Sequence, residues 1–230
     1  MSTTKPKSIT ELYDGIATRY QINRHKATND VIEFPVVLRM AGHIKGKNVL
    51  DIGCGLGKHA KAFLDKGAIV VGIDASREMI KIAKQTCGNK ALFIKKNFED
   101  AKFKPKSFDL LNASFSLHYS NRLNYIFKKF NTWLKPGGKM LFTIYHPMQY
   151  YLKTKDFDYS KSKKLWIKLR SYDVEVFNYY HPLNDYIRAI VNNNFIILSI
   201  LDLVVPKNIK GWTNDKYRIP SGLLFEIEKK

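Results

Sequence analysis

The sequence is poor in several features that would mark a function class. It has two cysteines, Cys54 and Cys87, in 230 residues. They are too few for a disulfide framework and form no CxxC or Cys/His metal pattern. The six histidines (His25, His43, His59, His118, His146, His181) include no HExxH or similar ligand pair. No GK[ST] follows a glycine-rich stretch, which excludes a P-loop. The longest apolar stretch, Phe195 to Val205, is interrupted by Ser199 and Asp202 and is too short to span a bilayer. The first residues, MSTTKPKSITELYDG, lack the apolar stretch of a signal peptide, so a reducing, cytoplasmic compartment is expected. Repeats and low-complexity tracts are absent, which argues against solenoids and linkers.

Acidic residues are also scarce. Twenty Asp and Glu face 39 Lys and Arg, a formal charge of +19 with a pI near 9.8. Such a balance raises nucleic acid, a membrane surface or an anionic substrate as partners. The surplus is diluted, however: successive blocks of fifty carry +4, +3, +7 and +3, and the last thirty residues +2. Lys outnumbers Arg 31 to 8, whereas Arg is the residue suited to bidentate phosphate or base contacts. A solvated lysine-rich surface is the preferred reading over a dedicated nucleic-acid face.

What is present is a folded α/β chain, 45% apolar and 26% charged. From Lys47 onward strands and helices alternate. KNVLDIG, AIVVGID, ALFIKK, SFDLLNAS and GKMLFTIY read as strands. Helices are expected over Gly57–Lys66, after the cap Ser76, over Asn121–Trp133, and from His181-Pro182 to about Asn193. LKPGG is expected to stop the third of these. FIILSILDLVV and SGLLFEIE then close the sheet as an antiparallel pair. Alternation of this kind implies parallel pairing with helices on both faces. The chain reads as one domain, 1–230. Residues 1–40 are a helical N-terminal cap, 41–146 a binding core, 147–181 an aromatic-rich insertion or lid, and 182–230 a closing helix and β-hairpin.

The chemistry concentrates at Asp51-Ile52-Gly53-Cys54-Gly55-Leu56-Gly57, a strand end that opens a helix. Glycines there let the backbone turn sharply and approach a ligand. The dinucleotide pattern G-x-G-x-x-G fails because Lys58 occupies its third glycine position. Asp74 ends the second strand, 17 residues past Gly57, where a carboxylate can accept both ribose hydroxyls of an adenosine.

With these residues the sequence resembles the class I S-adenosylmethionine-dependent methyltransferases of the small-molecule type (type 11/25-like domains), over about residues 10–146. The resemblance implies a Rossmann-like, doubly wound α/β fold. Its sheet would have seven mostly parallel strands with an antiparallel last strand, and helices on both faces. It implies S-adenosyl-L-methionine as cofactor and S-adenosyl-L-homocysteine as product. The implied cofactor-binding set is Tyr13, Tyr20, Asp51, Gly53, Cys54, Gly55, Asp74, Ala75, Met79, Asn97, Phe98 and Ser114. Tyr13 and Tyr20 match an aromatic cap over the methionine end, and Met79 a position that packs on adenine. Asn97 stands where the family commonly has Asp, so it would accept a hydrogen bond without charge.

The implied reaction is in-line methyl transfer to oxygen or nitrogen of a small-molecule acceptor, anionic or aromatic in character. Candidate bases are His118, just past the fourth strand, and His146, just past the fifth; a structural turn role competes for His146. The aromatic 147–181 segment would help to enclose the acceptor. Two other readings stay open. One is an RNA (tRNA or rRNA) methyltransferase, although Asn112-Ala113-Ser114-Phe115 lacks the prolines of amino-methylating enzymes. The other is a non-catalytic cofactor-binding subunit of a partner enzyme. No metal is implied, and the oligomeric state is left open.

Overall fold

The computed structural model describes residues 8–23, 28–169, 174–205 and 219–230. Two helices, α1 (Ile9–Asn23) and α2 (Thr28–Met40), precede β1 (Asn48–Ile52). Then follow α3 (Lys58–Asp65), β2 (Ile69–Asp74), α4 (Arg77–Cys87), β3 (Leu92–Lys95) and β4 (Phe108–Ser114). A 3-10 turn, Leu117–Tyr119, leads into α5 (Leu123–Trp133) and β5 (Leu134–Tyr145). The chain continues through α6 (Pro147–Lys153), β6 (Lys163–Leu169), β7 (Val174–Tyr180), α7 (Leu183–Asn192), β8 (Phe195–Leu203) and β9 (Gly222–Lys229).

Seven strands form one sheet in the order β3-β2-β1-β4-β5-β9-β8. All pairs from β3 to β5 are parallel. β9 runs antiparallel to both β5 and β8, so the last strand of the chain is the one reversed strand, one place in from the edge. The order turns back between β1 and β4. Connections there leave to opposite faces and open a crevice at the strand C-termini.

Side-chain alternation along each strand builds two cores. Leu50, Ile52, Leu111, Ala113, Phe142 and Ile144 point to the face covered by α5 and α7. Val49, Val70, Leu110 and Leu141 point to the face covered by α2, α3 and α4. Phe142 and Phe225 stack with centroids 4.6 Å apart and planes at 4°. Fully buried phenyl rings such as Phe63, Phe127 and Phe142 each contribute roughly 1.5–3 kcal/mol.

One boundary differs from the sequence reading. LKPGG does not separate α5 from its strand. Leu134 is already extended and pairs with Phe108, and the register then jumps to Leu110 opposite Lys139. The Pro136-Gly137-Gly138 stretch is thus absorbed as a bulge, with Gly137 at φ 69°. The 147–181 segment folds as α6 and a separate two-stranded sheet of β6 and β7. Its inner residues Leu165, Ile167, Val176 and Tyr180 pack with Leu12 and Ile16 of α1 and Tyr150 of α6. Among the described residues no helix is long and apolar enough to cross a membrane.

Candidate active site

The strand C-termini and the N-terminal helix bring the sequence candidates to one edge. The glycine loop is anchored by Gly53 and Cys54, whose amides donate to Ile73 O at 2.8 and 3.0 Å. Gly53 adopts φ 68°, and a Cβ there would lie 2.6 Å from Ser116 Cβ, so only glycine fits. Gly55, at φ 51°, has nothing within 4 Å of a Cβ, so its backbone faces open space. Its amide donates to Asp74 Oδ2 at 2.9 Å, and Ser76 N donates to Asp74 Oδ1 at 2.9 Å. Burial pushes the Asp74 carboxyl up to about 6; those two amides oppose the shift, and Asp51 and Asp14 add to it.

The next residues show how the edge is closed. Ala75 is half-buried, and Ser76 caps α4 by accepting from Met79 N at 3.1 Å. Ser76 Oγ also donates to Asp14 Oδ1 at 2.6 Å, and Glu78 N donates to the same oxygen at 3.2 Å. Burial alone would raise Asp14, but these bonds hold it below the ordinary carboxylate value. α1 is thereby fastened over α4. Met79 is buried with Ala17, Leu56 and Ile82, and Tyr13 and Tyr20 pack on the same cluster. Asn97 Oδ1 accepts from Glu99 N at 2.9 Å, and Phe98 sinks into the main core. Burial pushes the Cys54 thiol well up, so it is an inert wall.

A second group of side chains lies on the α2/α3 face at the same strand ends. Asp51 and Asn112 are register partners, and Asn112 Nδ2 donates to Asp51 Oδ1 at 2.8 Å. Asn112 Oδ1 is buried without a partner among the described residues. Burial raises the Asp51 carboxyl. Glu33 of α2, 1% exposed, accepts from Thr143 Oγ1 at 3.1 Å and faces His59 Nε2 at 3.3 Å. Burial would raise Glu33, but His59 and bonds from Ser114 and Thr143 bring it below its ordinary value. Glu33, His59 and Thr143 carried no signal in the sequence. They join only because α2 and α3 pack on one face of β1, β4 and β5.

The third group is aromatic. His118 is 1% exposed, and neither ring nitrogen has a hydrogen-bond partner among the described residues. Its ring lies 4.3 Å from Tyr119 and 4.9 Å from Tyr145. Burial pushes its pKa down to about 3, so it is neutral at ordinary pH. Tyr13 and Tyr119 hydroxyls are 2.7 Å apart, and Tyr13 meets Tyr20 edge to face at 5.9 Å. Tyr119 and Tyr145 were not singled out in the sequence. Their position beside His118 and at the end of the fifth strand was the available signal. His146 lies outside this group: it caps α6, accepting from Met148 N at Nδ1 (3.2 Å), and its Nε2 faces Asp202 at 3.4 Å. The basic surplus of 101–150 does not gather here either. Lys135 is paired with Asp109 near the opposite end of the sheet, and Lys139 with Glu226.

Among the described residues no set of His, Cys, Asp and Glu could hold a metal. The geometry suits an adenosine-type ligand: a half-buried carboxylate at a strand end, an open backbone cradle at Gly55, and a buried acceptor at Asn112 lacking a donor among the described residues.

Residues 50–142 match the methyltransferase domain family. The chain is 35% identical over 115 residues to a ubiquinone biosynthesis O-methyltransferase of Coxiella burnetii, covering 48% of this chain and 49% of that one. It is 28% identical over 151 residues to a demethylmenaquinone methyltransferase of Renibacterium salmoninarum, covering 62% and 61%. It thus spans about half the length of the first of these relatives. A crystal structure of a Listeria monocytogenes protein assigned as an S-adenosylmethionine-dependent methyltransferase superposes with a TM-score of 0.75. Identity is 25%, over 86% of this chain and 96% of that one.

Proposed function

We propose that this chain, which carries a class I S-adenosylmethionine-dependent methyltransferase domain, methylates oxygen or nitrogen of a small aromatic acceptor. The observation that carries the acceptor reading is His118: a buried, neutral imidazole whose two nitrogens have no hydrogen-bond partner among the described residues, beside Tyr119 and Tyr145. A buried polar group without a partner costs about 1–3 kcal/mol. That cost is recovered when an acceptor's O–H or N–H reaches the ring. The aromatic lining favours a planar, uncharged acceptor over an anion. The quinone-biosynthesis names of the relatives support a phenolic one.

S-adenosylmethionine supplies an electrophilic methyl on a sulfonium, with a neutral thioether as leaving group. The chain's part is to bind, orient and exclude water. In this reading Asp74 accepts the ribose hydroxyls, and the Gly53–Gly55 backbone lets the ligand approach closely. Met79, Ala75, Asn97 and Phe98 border its base. Asp51, Cys54, Ser114 and Asn112 border its amino-acid end. Tyr13 and Tyr20 cover the site from α1, holding donor and acceptor together; orientation of this kind contributes ~7–11 kcal/mol in well-positioned systems. His118 accepts a hydrogen bond from the acceptor's O–H or N–H at a ring nitrogen and so orients the attacking atom; with a pKa of about 3 it acts as a positioning group rather than a strong base. His146 is given no proton-transfer role, since both its nitrogens are engaged.

The test is methyl transfer from radiolabelled S-adenosylmethionine to a panel of catechols, demethylated quinols and bulk tRNA and rRNA. Transfer to phenolic acceptors, lost in His118→Ala with cofactor binding retained, is the expected result. Transfer to RNA with steep salt dependence would overturn it in favour of a nucleic-acid enzyme. Cofactor binding with no turnover on any acceptor would favour the partner-subunit reading.

A further inference from the structure

We propose that Asn178 of β7 is a specificity-determining residue: its amide holds a second polar group of the acceptor, a hydroxyl or keto oxygen on the ring whose other substituent His118 orients. This rests on the proposed function and narrows its acceptor from a phenol to a ring with two polar substituents. Asn178 lies opposite Leu165 in the β6–β7 ladder and shares the inner face of β7 with Val176 and Tyr180. It is 0% exposed, and neither Oδ1 nor Nδ2 has a hydrogen-bond partner in bonding geometry among the described residues. Its polar neighbour is the Tyr150 phenol, which burial pushes well up and the Asn178 amide draws back. A single hydroxyl can bond one end of an amide, so the other end stays unpaired.

Among the described residues, His118 and Asn178 are the two buried side chains in which every polar atom lacks a partner in bonding geometry. β7 packs against the 3-10 turn that carries His118. Two rings link them: Tyr145 lies 4.9 Å from the His118 ring, and Tyr150 lies 6.2 Å from Tyr145. The face around Asn178 is otherwise apolar or aromatic, with Leu165, Val176 and Tyr180. A leucine of similar volume would pack there without the cost of burying an unpaired amide. An amide in that place fits a ligand that completes it. It offers donors and an acceptor, so it can meet either a hydroxyl or a keto oxygen. A site built to bond a substrate hydroxyl rejects the analogue that lacks it, because its own buried groups then go unpaired. His118 and Asn178 together therefore select two polar groups on one acceptor.

The test is ligand-observed NMR titration of the full chain, saturated with S-adenosylhomocysteine, with phenol, catechol, resorcinol and hydroquinone. At least one of the three dihydroxybenzenes should bind about tenfold tighter than phenol. In Asn178→Leu that ratio should fall to about one. Asn178→Ala, which cannot crowd the site, should lower it likewise, and circular dichroism melts check that both variants fold. Equal binding of all four ligands by the wild type would overturn the proposal. So would a ratio that persists in both variants. A loss of phenol and dihydroxybenzene affinity by the same factor would overturn it in favour of a packing role. The acceptor reading beneath it fails by a different result: no binding of any of the four, with S-adenosylhomocysteine still bound, would overturn both. Phenol binding that is lost in His118→Ala upholds that reading whatever Asn178 does.

Discussion

The hydroxyls of Tyr13 on α1 and Tyr119 beside β4 lie 2.7 Å apart, a bond between residues 106 positions apart. It ties the N-terminal helix to the residue next to His118. Burial raises both phenols well above their ordinary value, so both stay protonated and one donates to the other. Tyr119→Phe should leave the Tyr13 hydroxyl without its partner and cost about 1–3 kcal/mol, with a raised acceptor KM. The Tyr13→Phe, Tyr119→Phe double variant should recover part of that stability. Urea unfolding of the four proteins gives the coupling energy, and additive losses would show that the bond contributes nothing.

Asp74 sets a pH dependence of two opposite signs. Its folded pKa, about 6, is above the ordinary 3.8, so the folded state binds this proton more tightly than the unfolded chain. Its ionisation therefore opposes folding above about pH 6, and that penalty is relieved as pH falls towards 3.8. Cofactor affinity should move the other way, declining towards tenfold per pH unit below about 6 as the ribose acceptor is protonated. Calorimetric titrations between pH 5 and 8 should show it, alongside an apo Tm that does not fall over the same range. Asp74→Ala should lose about a hundredfold in affinity above about pH 6, two charge-assisted hydrogen bonds, and progressively less below it.

Under the proposed function, His118 trades stability for activity. Replacing it with leucine removes two unpartnered buried nitrogens at similar volume. The Tm should hold or rise by the equivalent of about 1 kcal/mol while methyl transfer falls. Since its pKa is about 3, it remains neutral from pH 5 to 8, and an acid limb of kcat in that range belongs to another group. A His118→Leu variant that loses stability as well as activity would point to a packing role instead.

Glu33 and His59 meet as a buried carboxylate–imidazole pair under β5. Glu33→Leu leaves His59 facing an apolar side chain and should cost about 1–3 kcal/mol. Because Glu33 is held below its ordinary 4.5, its contribution is present at neutral pH and is lost as pH falls through its folded value. Urea unfolding at pH 7 and pH 4 should show a smaller gap between wild type and variant at the lower pH.

Local pattern carried much of this molecule. The short, near-continuous apolar runs of β1, β2, β4 and β5 mark strands because a strand buried on both faces needs apolar, often β-branched groups at successive positions. The glycine loop and Asp74 were legible because backbone φ and a strand-end carboxylate are local requirements that leave residue types in order. The β6–β7 hairpin was seen only as an aromatic stretch, since its register depends on which face meets α1. The start of β5 at Leu134 was missed because Pro-Gly-Gly signals a turn locally, while the sheet accommodates it as a bulge.

By itself the sequence determined the order of the main-sheet strands and the helices between them, the parallel core and the loop that a nucleoside-type ligand requires. These follow from side-chain periodicity and backbone sterics within a few residues. Only the tertiary structure decided that His118 has no hydrogen-bond partner among the described residues, that Tyr119 meets Tyr13, that Glu33 faces His59, and that Trp166 points outward. Each is a relation across long stretches of chain, set by how the elements pack and by what burial does to a polar group. No local pattern encodes it.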